Sequence, residues 1–203
     1  MFPYIIYIYT SVSSVEEIMK STKSWIEIEK YENEKIDLDL WNNRNIEIAK
    51  LVSDESESLL DLGCGNRQLE KLISAKCKYY PVDYCSRGEN TIVCDFNNHQ
   101  FPEVYADIVV GSGILEHIID YKWFIKCMCD HCKKNIIVSY AYSEEGNPEE
   151  RRHIYNNRYE IEWMNSLSIN DLIYVFNMND FIVKNQKLIP VKQVLIEFVK
   201  KNK

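Results

Sequence analysis

The residues of this chain with the clearest chemical potential are Asp61, Gly63 and Gly65 in the stretch SLLDLGCGNRQLEKLI, and Asp83 at the end of YYPVD. A short apolar run ends in an acid, passes through Gly-Cys-Gly and leads into a helical pattern. Glycine reaches backbone angles closed to other residues and lets a ligand approach the main chain. A helix starting behind it would add unpaired N–H groups and partial positive charge. Asp83 follows Asp61 by twenty-two residues, the interval at which an acid on the next strand tip can accept both hydroxyls of a ribose.

For these residues to meet, the chain must place them on neighbouring strands. Short apolar runs stand at 58–61, 79–83, 91–94, 107–111 and 135–140, and helical patterns at 66–76, 113–130 and 168–178. This alternation predicts a Rossmann-like α/β fold: an open, mostly parallel sheet with helices on both faces. The last helix opens on Ser168-Ile169-Asn170-Asp171, a serine cap with an acid at the third position. After it, DFIVKNQKL and KQVLIEFVK are two strands with no helix between them, so they pair antiparallel and complete seven strands. Val194, Ile196 and Phe198 alternate there with Gln193, Leu195 and Glu197, which predicts one strongly apolar face.

Residues 1–57 read as a helical segment of the same domain, ahead of a core over 58–203 that carries a lid insert near 141–167. In the segment's second helix, over 39–53, Trp41, Asn45, Ile48 and Val52 follow the helical repeat. One link is short: seven residues separate Asp83 from Thr91, whereas a parallel crossover needs about a dozen. Either a loop replaces the helix there or the third strand lies elsewhere.

Composition narrows the partners. The 203 residues carry a net charge of −7 and no basic block, which disfavours nucleic acid. The apolar N-terminus MFPYIIYIYT falls short of the roughly 20 residues of a membrane helix and lacks the features of an export signal. Seven cysteines, an odd number, read as reduced thiols of a cytoplasmic protein. Oligomeric state is left open. Cys127, Cys129, His131 and Cys132 are crowded into one short stretch rather than split between two segments, so no metal site is expected.

Two ligand classes fit the glycine turn, a dinucleotide or the nucleoside sulfonium S-adenosylmethionine. A dinucleotide turn would want glycine where Gln68 stands, and its pyrophosphate would be repelled by Asp61. An acid there suits a ligand carrying an ammonium and a sulfonium. LLDLGCG resembles the first motif of the class I S-adenosylmethionine-dependent methyltransferases, and further stretches match that family in order. PVDY is similar to its ribose-binding strand, CDFN to its adenine-side loop, and NIIVSY to its fifth strand. ADIVVGSGILEHI is similar to the fourth strand and following helix of its small-molecule members, which often carry a Leu-Glu-His run.

The resemblance implies a donor site in which Asp61, Gly63, Cys64 and Gly65 frame the methionine part. Asp83 and Tyr84 would take the ribose, and Asp95 with Phe96 the adenine. Gly111 and Ser112 would border the reacting centre. S-adenosylhomocysteine would be the product. Arg67 stands where the family usually has a third glycine; it reads as a helix-start residue that could reach the donor's carboxylate. His117 and His153 are the candidate bases, and Arg151, Arg152, Trp163 and Asn165 lie in the insert that would meet the acceptor. The expected activity is methyl transfer to an oxygen or nitrogen of a small molecule, with a sugar or polysaccharide precursor as one such acceptor. Rival readings are a protein methyltransferase and a methyltransferase-like binding protein without turnover.

Overall fold

The computed structural model describes residues 43–143, 164–190 and 192–201. Most of the N-terminal helical segment and of the insert, with His153, Arg151, Arg152 and Trp163, lies outside the described residues. Helix α1 covers residues 43–49. It is followed by β1 (Ser58–Leu62), β2 (Lys78–Asp83), β3 (Ile92–Val93), β4 (Ala106–Ser112), α2 (Tyr121–His131), β5 (Cys132–Ala141), α3 (Ile169–Asn177), β6 (Phe181–Ile189) and β7 (Gln193–Lys200).

The seven strands form one sheet in the order β3-β2-β1-β4-β5-β7-β6. The first five are parallel, and β7 runs antiparallel to both β5 and β6. Strand runs such as SLLDL and IIVSY are apolar throughout because both faces are covered. Leu60, Leu62, Val109, Ile136 and Val138 pack against α2 and α3 through Phe124, Met128, Leu172 and Phe176. On the opposite face Leu59, Ile108, Val110, Ile137 and Leu195 cluster with Ile48 of α1. The serine cap of α3 is complete: the Asp171 N–H donates to Ser168 Oγ at 3.0 Å and the Ser168 N–H to Asp171 Oδ2 at 3.0 Å.

Three local expectations change, and one left open is decided. The helix over 66–76 reduces to a 3-10 turn at Leu69–Lys71, in which only Leu69 is buried. With so little apolar surface facing the sheet, a longer helix would gain nothing from packing. The helix over 113–130 splits into a 3-10 turn at Leu115–His117 and α2, because Asp120 caps α2 by accepting the Trp123 N–H at 3.1 Å. The short link after Asp83 is a loop without a helix, and β3 is only two residues long. Strand β7 is buried on both faces. Glu197 is 1% exposed and is held by Lys184 at 2.9 Å, by Asn135 at 2.5 Å and by Asn185.

The cysteine-histidine stretch is structural. Cys129 and Cys132 are buried, and His131 bonds the Cys127 carbonyl through Nδ1 at 2.8 Å and stacks on Tyr105. Among the described residues no group of metal-ligating side chains forms.

Candidate active site

The C-terminal ends of β1, β2 and β4 lie side by side, and the polar residues at those ends form the candidate site. Past Leu62 the chain turns sharply. The N–H groups of Gly63 and Cys64 both donate to the Val82 carbonyl, at 2.8 and 2.9 Å, so the turn wraps the end of β2. Gly63 sits at φ +73°, and a β-carbon there would lie 2.9 Å from Ile114 Cδ1. Glycine is required on both counts.

The Gly65 N–H donates to Asp83 Oδ2 at 3.0 Å, so the glycine turn and the acid twenty-two residues past Asp61 are in direct contact. Arg87 Nε lies 3.4 Å from the other carboxylate oxygen. A carboxylate held at one oxygen by a backbone donor keeps lone pairs on both oxygens for ribose hydroxyls.

Asp61 is 3% exposed and accepts the Tyr79 phenol proton at 2.5 Å. Burial pushes its pKa up to about 6, against the downward pull of that hydrogen bond. The neighbouring Asp83 charge raises it further, while Arg44 lowers it. A carboxylate in this state gains from a cationic ligand that restores the charge partner it lacks.

Arg67 corrects the sequence reading. It does not start a helix; its backbone is left-handed at φ +57°. Its guanidinium donates to both Glu70 carboxylate oxygens, at 3.0 and 2.8 Å, and to the Glu89 carbonyl at 2.8 Å. A β-carbon at Gly88 would already be 3.3 Å from Nη1. Arg67 therefore stitches the glycine turn to the loop between β2 and β3.

On the adenine side, Asp95 caps the turn at Phe96–Asn98 by accepting the N–H groups of Asn97 and Asn98. The Phe96 ring departs from the expected ring contact. It is 5% exposed and packs edge-on to Phe124 at 4.9 Å, inside the core. Cys64 is also inward, its thiol pKa raised by burial, so it faces the site through its backbone. Tyr84 is 38% exposed beside Asp83, with the Arg87 guanidinium 5.8 Å over its ring.

At the end of β4, Gly111 is closely packed: a β-carbon would meet Met128 Cε at 3.2 Å and Ile114 Cγ2 at 3.3 Å. The Ser112 hydroxyl donates to Asn45 Oδ1 of α1 at 3.4 Å. His117 lies in the 3-10 turn that follows, half-buried, its carbonyl accepting from Asn97.

Asn165, expected at the acceptor, is a buried latch. Its amide donates to the carbonyls of Leu115 and Ile118, at 2.7 and 2.9 Å, and its Oδ1 accepts from the Tyr140 hydroxyl at 2.6 Å. The Met164 N–H donates to the Glu116 carbonyl and the Ser143 N–H to the Leu167 carbonyl. Both described ends of the insert are thereby fixed beside the β4 and β5 tips.

Three side chains at these strand ends escape sequence reasoning. Tyr79 donates its phenol proton to the buried Asp61 carboxylate. Arg44, one turn before the buried Ile48 on α1, lies over Gly113, whose φ is +65° and whose β-carbon would be 2.6 Å from Arg44 Nη1. Glu116 is 2% exposed; Oε1 accepts the Ala141 N–H at 2.7 Å, while Oε2 has no partner. A helical register that puts Arg44 on the same face as Ile48 is the one signal that points to the second of these, Arg44.

Residues 37–183 match the methyltransferase domain family. No curated protein matches the chain by sequence. Among solved structures, it is similar to magnesium protoporphyrin IX methyltransferase from Synechocystis PCC 6803 with bound S-adenosylhomocysteine. That match has a TM-score of 0.70 and 12% identity, covering 92% of this chain and 100% of the other. It is also similar to the Burkholderia thailandensis 1,6-didemethyltoxoflavin-N1-methyltransferase with bound 1,6-didemethyltoxoflavin and S-adenosylhomocysteine. There the TM-score is 0.68 and the identity 13%, over 98% and 99% of the two chains. A third match is human N-acetylserotonin methyltransferase in complex with S-adenosylmethionine, with a TM-score of 0.58 and 15% identity, covering 79% of this chain and 52% of that one.

Proposed function

The chain belongs to the methyltransferase domain family, whose class I members draw their methyl group from S-adenosylmethionine, and from that premise we propose that it methylates an oxygen or nitrogen of a small molecule. The observation that carries this reading is the contact of Gly65 with Asp83, 3.0 Å from backbone N–H to carboxylate, beside the buried Asp61. In this reading Asp83 is the acid for the ribose and Asp61 the acid for the ammonium, on adjacent strand tips with the glycine turn between them. Cys64 lines the turn with its backbone, Tyr84 borders the ribose acid, and the Asp95 turn closes the adenine side. Gly111 and Ser112 flank the reacting centre.

The sulfonium is an activated leaving group, so alignment of the acceptor supplies most of the acceleration; well-oriented pairs gain about 7–11 kcal/mol from positioning. The methyl passes from sulfur to the acceptor atom, the sulfur keeps the electron pair of the broken bond, and an acceptor O–H or N–H gives up its proton. His117, in the 3-10 turn after β4, is the candidate base in this reading. His117→Ala then lowers turnover by about 10²–10⁴-fold with S-adenosylhomocysteine affinity unchanged; equal turnover removes that role. The acceptor class in this reading is a small metabolite, a sugar or polysaccharide precursor among them.

A thermal-shift comparison tests the donor. S-adenosylhomocysteine at 100 times its dissociation constant stabilises by about 2.7 kcal/mol, whereas NAD leaves the melting point unchanged. No shift with the adenosyl ligand overturns the reading, and a shift without turnover on any acceptor favours the binding-protein rival.

A further inference from the structure

The two acids at the β1 and β2 tips are fixed in different ways. Asp83 accepts a backbone donor, the Gly65 N–H, whereas Asp61 accepts a side chain, the Tyr79 phenol, at Oδ2. On the paired strands Tyr79 stands opposite Leu59, and Asp61 opposite Pro81. Tyr79 and Asp61 therefore share one face of the sheet at a two-residue offset along it, a diagonal that a long side chain crosses and a short one does not. Resting on the donor reading above, we propose that Tyr79 is a positioning residue of the donor site: its phenol holds the Asp61 carboxylate by one oxygen and leaves the other as the charged partner of the donor's ammonium.

The groups around Asp61 show why it needs this bond. Burial opposes its charge, and so do the like charges of Asp83 on β2 and Glu70 in the 3-10 turn. The Cys64 thiol in the glycine turn is kept protonated by burial, and β4 offers only the apolar Val110 opposite. Two groups favour the ionised form, the Tyr79 phenol and the more weakly acting Arg44 guanidinium of α1. Burial and the Asp61 charge hold the phenol above its ordinary pKa, so it stays an O–H donor. The ring is seated as firmly as the hydroxyl. It packs with Leu59, Leu69 and Ile73, and the Arg67 guanidinium lies 5.9 Å from its centroid. Arg67 is itself fixed by Glu70 and the Glu89 carbonyl, so the phenol has no room to swing off the carboxylate. Without the hydroxyl, Asp61 would take up a proton closer to neutral pH and lose the charge that an ammonium needs.

The test uses the full chain and Tyr79→Phe, which keeps the ring and removes the hydroxyl. Carbon-13 NMR of the Asp61 carboxyl in the ligand-free chain should titrate at about 6 in the parent and about one to two pH units higher in the variant. Isothermal titration with S-adenosylhomocysteine should follow that shift. At about pH 6.5 the variant should bind about five- to tenfold more weakly than the parent, and at about pH 8.5 within about twofold of it. Affinity for 5′-methylthioadenosine, which lacks the ammonium, should be the same in both chains at both pH values, which also shows that the variant is folded. An unmoved NMR midpoint, or an equal loss of S-adenosylhomocysteine affinity at both pH values, overturns the assignment. If the parent chain binds neither nucleoside, the donor reading itself fails, while the NMR midpoint still decides the pairing of Tyr79 with Asp61.

Discussion

Arg67 follows the β1 tip and Arg44 lies over Gly113 past the β4 tip, and the two differ in what they have left to offer. Arg67 follows the glycine turn in sequence and looks ready to meet a ligand, yet its three donor groups are all taken by Glu70 and Glu89. Arg44 lies seventeen residues before Asp61 on another element and keeps a buried donor unsatisfied. The same contrast separates the two ends of the site. At the β1–β2 end, the Gly65 N–H, the Tyr79 phenol and the Arg67 guanidinium are all engaged and hold a turn in shape. At the β4–β5 end, Arg44, Glu116 and Ser139 each retain a buried atom without a partner.

The largest effect expected from breaking this contrast comes from Asp83→Ala. It removes the ribose acid and orphans the Gly65 N–H, so S-adenosylhomocysteine affinity should fall about hundredfold or more in a titration. Retained affinity would mean that the β1–β2 end is not the donor site.

Gly113→Ala comes next. The new methyl needs a left-handed backbone and the space of the Arg44 guanidinium, so chemical denaturation should show a loss of about 1–3 kcal/mol. Unchanged stability would show that the guanidinium is not seated as described.

Asp61→Asn should separate stability from binding. Its carboxylate pKa is raised from 3.8 to about 6 in the folded chain. Folding is therefore penalised as pH rises from about 4 to 6, fully so above 6, by on the order of 3 kcal/mol. The asparagine variant should melt higher at pH 8, lose that advantage below about pH 4, and bind the donor less well. In the parent chain, affinity for the cationic donor should decline below pH 6 as Asp61 takes up a proton. A flat pH profile would remove Asp61 as the ammonium partner.

The smallest effect belongs to Arg67→Ala. It should leave S-adenosylhomocysteine affinity within about threefold and cost no more than about 1 kcal/mol, as exposed ion pairs do. A much larger loss would erase the distinction between the two arginines.

Much of the architecture was legible because the signals are periodic and local. Continuous apolar runs marked strands buried on both faces, and Ser168-Ile169-Asn170-Asp171 marked the start of α3 within one residue. The misreadings share a cause. Residues 66–76 and 113–130 carry helical periodicity, but Ser74 and Asp120 accept nearby backbone N–H groups that a continuous helix would use. Phe96 had the right chemistry for a ring contact and the wrong direction, which only packing against Phe124 decides. Glu197 looked like a solvent-facing strand residue until Lys184, Asn135 and Asn185 enclosed it.

What the sequence determined by itself is the geometry at the β1 and β2 tips: Asp61, Gly63, Gly65 and Asp83 are fixed by a turn that needs glycine and by a strand spacing that brings two acids together. Those constraints act over a few residues of backbone, so they are written in order along the chain. The tertiary structure alone decided which side chains remain available. Arg67 and Arg44 are the same residue type, and their difference lies in partners from Glu89, Gln193 and Gly113. Hydrogen-bond satisfaction depends on the whole neighbourhood in three dimensions, and no spacing along the chain encodes it.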